Sequence, residues 1–162
     1  MPAAARTVRY RTAEEACRQV AEAFRQKNFD LLSPVLFDLK DDAAFDSLFR
    51  STRGVSEDAI TEYEVSRTDL KEDFRRNVAA TRGQFQRIIA RGQNLGIDWG
   101  KTSYGGYKVL EQDGWLGYEL YYDFYIQIKY KRHVYQLRPG ILRRTPNGWR
   151  LASATGCEMT LQ

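Results

Sequence analysis

From Trp115 to Ala154 the chain alternates apolar and polar residues through several runs, broken by an Asn147-Gly148 turn. A period of two is the mark of strands that bury one face. Before this stretch, from Thr12 to about residue 95, apolar residues recur at helical spacing instead. Helices first and aromatic-rich strands afterwards predict an α+β fold, with N-terminal helices packed on a curved C-terminal antiparallel sheet of about four strands. Residues 1–162 form one domain on this reading, with the helical part at about 12–95 and the sheet at about 104–156.

The helical part carries its own punctuation. Thr12-Ala13-Glu14-Glu15 matches a capping box, in which Thr12 accepts from the Glu15 amide. Ala16, Cys17, Val20, Ala23 and Phe24 follow on one helix face, and Lys27-Asn28 stops the helix. Leu31, Leu32, Val35, Leu36 and Leu39 form a second apolar cluster, with Pro34 suited to a first helical turn. Asp41-Asp42 place acidic charge at the start of a short helix ended by Gly54, and Ser56 caps another that carries Ile60 and Tyr63. The longest helix carries Leu70, Phe74, Val78, Thr81, Phe85, Ile88 and Ile89 on one stripe. Gly83 inside it predicts a close contact or bend, and Gly92 or Gly96 ends it.

In the sheet, Tyr107 to Gln112 is a first strand and Gln112-Asp113-Gly114 a hairpin turn. On the long second strand, Tyr118, Leu120, Tyr122, Phe124, Ile126 and Ile128 are expected toward the helices. Glu119, Asp123, Gln127 and Lys129 are expected to point away. Val134 to Arg144 returns with a bulge or bend at Pro139-Gly140, and Trp149 to Ala154 closes the sheet. Arg138, Arg143, Arg144 and Arg150 read as decoration of an outer face.

Composition narrows the function classes. The 162 residues suffice for one hydrophobic core. Their 25 basic and 21 acidic residues give a net charge of +4, a mild excess that by itself marks no anionic partner. No apolar run approaches the ~18 residues of a membrane helix, so no membrane span is expected. Met1 to Arg6 lacks the long apolar stretch of an intact signal peptide, which reads as a cytoplasmic protein or the mature part of an exported one. Cys17 and Cys157 lie far apart and form no CxxC unit. They are two buried thiols, or a disulfide from the first helix to the last strand. His133 is the single histidine and sits among Lys131 and Arg132 at a hairpin tip, so no metal site and no cofactor is expected. The Gly96-to-Thr102 segment has three residues between its glycines where a phosphate loop needs four, and reads as a crossing loop.

Two stretches carry a family resemblance. One is Glu14 to Leu36, an opening helix running into a short second one with Asn28-Phe29-Asp30 at the junction. The other is the closing hairpin, Tyr135 to Ala154, with Asn147-Gly148-Trp149-Arg150-Leu151 as its last strand. The chain resembles the nuclear transport factor 2-like superfamily, whose cone-shaped α+β fold wraps helices in a curved antiparallel sheet. The Leu95-to-Trp99 segment also looks like that of small exported bacterial proteins of unknown role. The resemblance implies an isomerase, a dehydratase, or a non-catalytic binding or dimerisation domain, and it assigns no catalytic residue.

The leading expectation is a non-catalytic binding or dimerisation domain with a pocket for a small apolar ligand or a protein. Trp99, Tyr118, Tyr122, Phe124, Tyr135 and Trp149 are the candidate ligand residues, or fill the core. A homodimer is expected through the outer sheet face, with Tyr121 and Tyr125 at the contact. Two alternatives stay open: an isomerase or lyase with Asp98 or Asp123 as base, and weak nucleic-acid binding through Tyr121, Tyr125, Lys129 and Lys131. Nucleic acid is the less favoured partner, because tyrosine also suits a half-exposed strand.

Overall fold

A computed structural model describes residues 9–51, 56–58, 70–115, 117–152 and 159–162. Helices α1 (Ala13–Arg25), α2 (Leu39–Ser51) and α3 (Leu70–Asn94) precede strands β1 (Ser103–Trp115), β2 (Tyr118–Tyr130), β3 (His133–Arg138), β4 (Ile141–Thr145), β5 (Gly148–Ala152) and β6 (Thr160–Leu161). The expected α+β order of helices and then an antiparallel sheet is present. Among the described residues no helix is long and apolar enough to cross a membrane.

Helix α1 starts at the predicted capping box, with the Glu15 carboxylate reaching one residue past the N-cap amide. Thr12 Oγ1 accepts from the Glu15 amide at 3.1 Å, while the Glu15 carboxylate takes the Arg11 amide at 2.7 Å. Its inner face, Ala13, Ala16, Cys17, Val20, Ala23 and Phe24, is buried. Lys27 takes a left-handed φ of 52° and ends it. Burial, with Glu14 adding to it, raises the Cys17 thiol and keeps it protonated. Cys157, Gly54, Ile60 and Tyr63 lie outside the described residues, and the short helix expected after Ser56 is described at 56–58 alone.

Among the described residues the sheet has six strands, because Pro139-Gly140 divides the long return strand into β3 and β4 and Thr160–Leu161 adds β6 beside β3. The two halves of the return strand run along one edge of β2: β3 pairs with Ile126 to Tyr130, and β4 with Leu120 and Tyr121. Along the other edge β1 pairs with β2 from Ser103 to Trp115, with shifts of register at Gly105-Gly106, Leu110 and Tyr122. The turn expected at 112–114 is displaced. Gln112, Asp113 and Gly114 pair with Tyr121, Leu120 and Glu119, and Gly117 instead takes the left-handed turn conformation at φ +82°. Continuing the ladder keeps these backbone groups hydrogen-bonded, which an earlier turn would forfeit.

The face assignment of β2 fails at Tyr122, where the ladder is irregular. Phe124, Ile126 and Ile128 are buried. Val109 pairs with Phe124, Glu111 with Asp123, and Gln112 with Tyr121, so the ladder skips Leu110 on β1 and Tyr122 on β2. Each skipped residue is a bulge. Tyr122, expected toward the helices, is 44% exposed, and Tyr121 takes its place against Trp149 with ring centroids 4.9 Å apart. Beyond the bulge Tyr118 meets Phe45 of α2 instead, with rings 5.5 Å apart.

The glycines of α3 also change roles. A Cβ on Gly83 would meet nothing nearer than the far end of Arg87 at 3.6 Å, so neither contact nor bend requires glycine there. A Cβ on Gly92 would sit 2.4 Å from the Trp99 ring. Trp99 lies against this gap and donates its indole N–H to the Ile89 carbonyl at 3.0 Å. Gly96, with φ +83°, follows the last turn. Gly83→Ala is therefore expected to raise stability by up to about 1 kcal/mol through helix propensity, read as a higher midpoint in urea unfolding. A loss of stability would show that the glycine is needed.

Candidate functional site

The apolar stripe of α3 is longer than the core it covers. Phe85 and Ile88 are buried with Phe24 and Trp99, but Val78 and Phe74, two and three turns earlier, run past the main core. There they face the segment after the second 3-10 turn (Ser33–Val35), which adds one rung to the sheet edge: the Phe37 amide donates to the Leu151 carbonyl at 2.9 Å. Between these elements lies a cleft of about 330 Å³. Its walls are Phe37, Phe74 and Val78 on one side and Leu120, Ile141 and Leu151 on the other, with Asn77, Thr81 and Arg143 as polar lining.

The polar lining is fixed by its surroundings. Thr81 donates its hydroxyl to the Asn77 carbonyl at 2.7 Å. The Arg143 guanidinium sits 5.0 Å from the Phe37 ring centroid and 4.5 Å from that of Phe45, a cation held between aromatic faces. Phe37 in turn lies between Phe45 and Phe74 at centroid distances of 6.3 and 5.8 Å. Val78, 39% exposed, stands at the mouth. A second groove of about 520 Å³ opens outside it, sharing Phe37, Phe74 and Val78 and adding Leu39, Lys40 and Arg75.

The six ligand residues expected from sequence are dispersed. Trp99 and Phe124 are core residues at 2% and 1% exposure, and Trp149 is buried against Tyr121. Tyr122 stands in solvent at its bulge, and Tyr135 is half-buried beside His133. Tyr118 borders a cavity, but a different one, described below. Of the cleft residues, Phe74, Val78 and Thr81 are legible in the sequence as part of the apolar stripe of α3. That Phe74 and Val78 lie past the end of the core is not, because this depends on how far the sheet extends.

The two expected interface tyrosines do not share a face. Tyr121 packs on the core side, whereas Tyr125 lies on the other side of β2, 9% exposed under the Arg138 guanidinium, 5.9 Å from its ring centroid. The bulge at Tyr122 separates them. The same separation breaks up the tyrosine-lysine strip considered for bases; Lys129 and Lys131 remain exposed.

The carboxylates considered as bases are engaged. Asp98 accepts the Gly100 amide at 3.2 Å and caps a 3-10 turn, Trp99–Lys101. Asp123 pairs with Arg138 at 2.6 Å, half-exposed, and Glu119 pairs with Arg144. Among the described residues the buried carboxylate is Asp41, 1% exposed, and its partner is Arg150 at 3%. This corrects the outer-face reading of Arg150. Its Nε lies 3.3 Å from both Asp41 oxygens, its Nη1 3.4 Å from the Pro34 carbonyl, and its Nη2 3.2 Å from the Asn147 carbonyl. Asp41 also accepts from the Asp38 amide at 3.0 Å and the Asn147 amide group at 3.2 Å. Burial raises the Asp41 carboxyl, opposed by the Asp38 amide and Arg150. The knot ties α2 to the β4–β5 turn, and Asp41 lines none of the cavities above. Among the described residues no group of His, Cys, Asp and Glu could hold a metal ion.

Compared with family models, with characterised proteins and with solved structures, the chain matches none.

Proposed function

We propose that the chain is a non-catalytic binding domain that holds a small, largely apolar ligand in the cleft between α3 and the β2–β4–β5 end of the sheet. The observation that carries this reading is the lining: eight apolar residues from a helix, a loop and three strands, with one aromatic-clamped cation. A concave apolar site with few polar groups is how small-molecule sites are generally built. Helices followed by an antiparallel sheet also support a place in the nuclear transport factor 2-like superfamily. The enzymatic alternative lacks support, because Asp98 and Asp123 stand outside the cleft, in a cap and an ion pair.

An anilinonaphthalene sulfonate dye, apolar with one anionic group, tests the reading. Its fluorescence should rise saturably with the folded protein. Val78→Arg, a change at a partly exposed position, should weaken binding at least tenfold while leaving the melting temperature near that of the wild type. Saturable binding that Val78→Arg leaves unchanged would place the dye elsewhere and defeat the proposal, as would no binding.

A further inference from the structure

On the far side of β4 from Arg143, the next residue points the other way, as successive strand residues do. Arg144 lines a depression of about 410 Å³ together with Arg9, Arg11, Tyr118, Thr145, Pro146 and Gly148. We infer that this is a second ligand site, one that takes the phosphoryl group of a small phosphate monoester.

The site is assembled by the stretch that precedes α1. The Trp149 amide donates to the Tyr10 carbonyl at 2.8 Å, which pins that stretch to the start of β5. The approach is close because residue 148 is glycine: a Cβ there would sit 2.6 Å from the Tyr10 carbonyl oxygen, and φ is +105°. Tyr10 is 8% exposed and turns inward, with Arg150 5.8 Å from its ring centroid. Arg9 and Arg11, on either side of it, are both exposed and both line the depression. Burying the tyrosine is thus what presents two arginines together.

The third arginine is held in place. The Arg144 guanidinium lies 4.9 Å over the Tyr118 ring, donates to the Gly117 carbonyl at 3.0 Å and pairs with Glu119. Among the described residues no carboxylate lines the depression itself. The lining holds three guanidiniums, with Glu119 against Arg144 and Glu15 on the Arg11 backbone amide at its border, a net positive charge that suits a phosphate monoester dianion. Guanidinium groups match phosphate oxygens in geometry as well as charge. The Tyr118 ring beside them gives the organic part of an ester something to rest on.

Isothermal titration with phenyl phosphate and with inorganic phosphate, at fixed ionic strength, tests the site in the full chain. Phenyl phosphate should bind saturably and several-fold more tightly than inorganic phosphate. The Arg9→Gln/Arg11→Gln variant, altered at exposed positions, should lose at least tenfold in affinity. A control variant, Lys108→Gln/Arg132→Gln, removes the same charge from exposed positions elsewhere and should bind as the wild type does. Equal losses in both variants would mean a diffuse charge effect and overturn the site. Inorganic phosphate binding as tightly as the ester would overturn the ester assignment, and no saturable binding would overturn both. The dye test of the cleft is independent, since Val78→Arg should leave phenyl phosphate binding intact.

Discussion

Asp41→Ala is expected to lower folding stability by about 3–5 kcal/mol, the usual cost of removing one member of a buried ion pair. The loss comes less from the attraction forgone than from the Arg150 guanidinium left buried, at 3% exposure, with its main countercharge gone. The signature of this cause is non-additivity. Asp41→Leu combined with Arg150→Met should be less damaging than Asp41→Ala alone, because it removes both charges. Urea unfolding of the two variants beside the wild type measures both. A loss below ~1 kcal/mol for Asp41→Ala would mean that the knot contributes little to the fold.

The second large effect separates two aromatic residues that the alternation treats alike. Phe124→Ala should cost about 3–5 kcal/mol, since a buried aromatic ring leaves a cavity that its neighbours fill only in part. Tyr122→Ala should stay within about 0.5 kcal/mol, as for other exposed positions. Denaturant midpoints at unchanged slope give both values. Comparable losses at the two positions would mean that β2 alternates without a bulge, with Tyr122 on the core side.

The parts of the fold legible in the sequence are those set by neighbours in the chain. Thr12 and Glu15, Lys27 and Asn28, and Pro139-Gly140 act over a few residues, and the elements begin, end and bend where they stand. What escaped was set across the sheet. The bulges at Leu110 and Tyr122 exist only in the pairing of β1 with β2. Gly92 faces Trp99 from the next element, so nothing near it distinguishes it from Gly83. Arg150 follows a turn, in a stretch of mixed polarity, and its partner Asp41 lies 109 residues earlier. The cleft falls between these cases: Phe74 and Val78 announced an apolar face, and only the reach of the sheet decided that it would be left partly uncovered.

The paired bulges have a consequence for how the hairpin can change over evolutionary time. Each holds one residue beyond what the ladder needs. Losing Leu110 or Tyr122 would shorten the chain and leave every other side chain on the side it now occupies. Losing a residue from a regular stretch of the ladder, such as Tyr125, would invert every position between the deletion and the bulge. Together with Gly105-Gly106, where β1 also carries an extra residue, these are the positions where a gap in a shorter relative of this hairpin belongs, and an alignment that puts it in a regular stretch would pair core residues with solvent-facing ones.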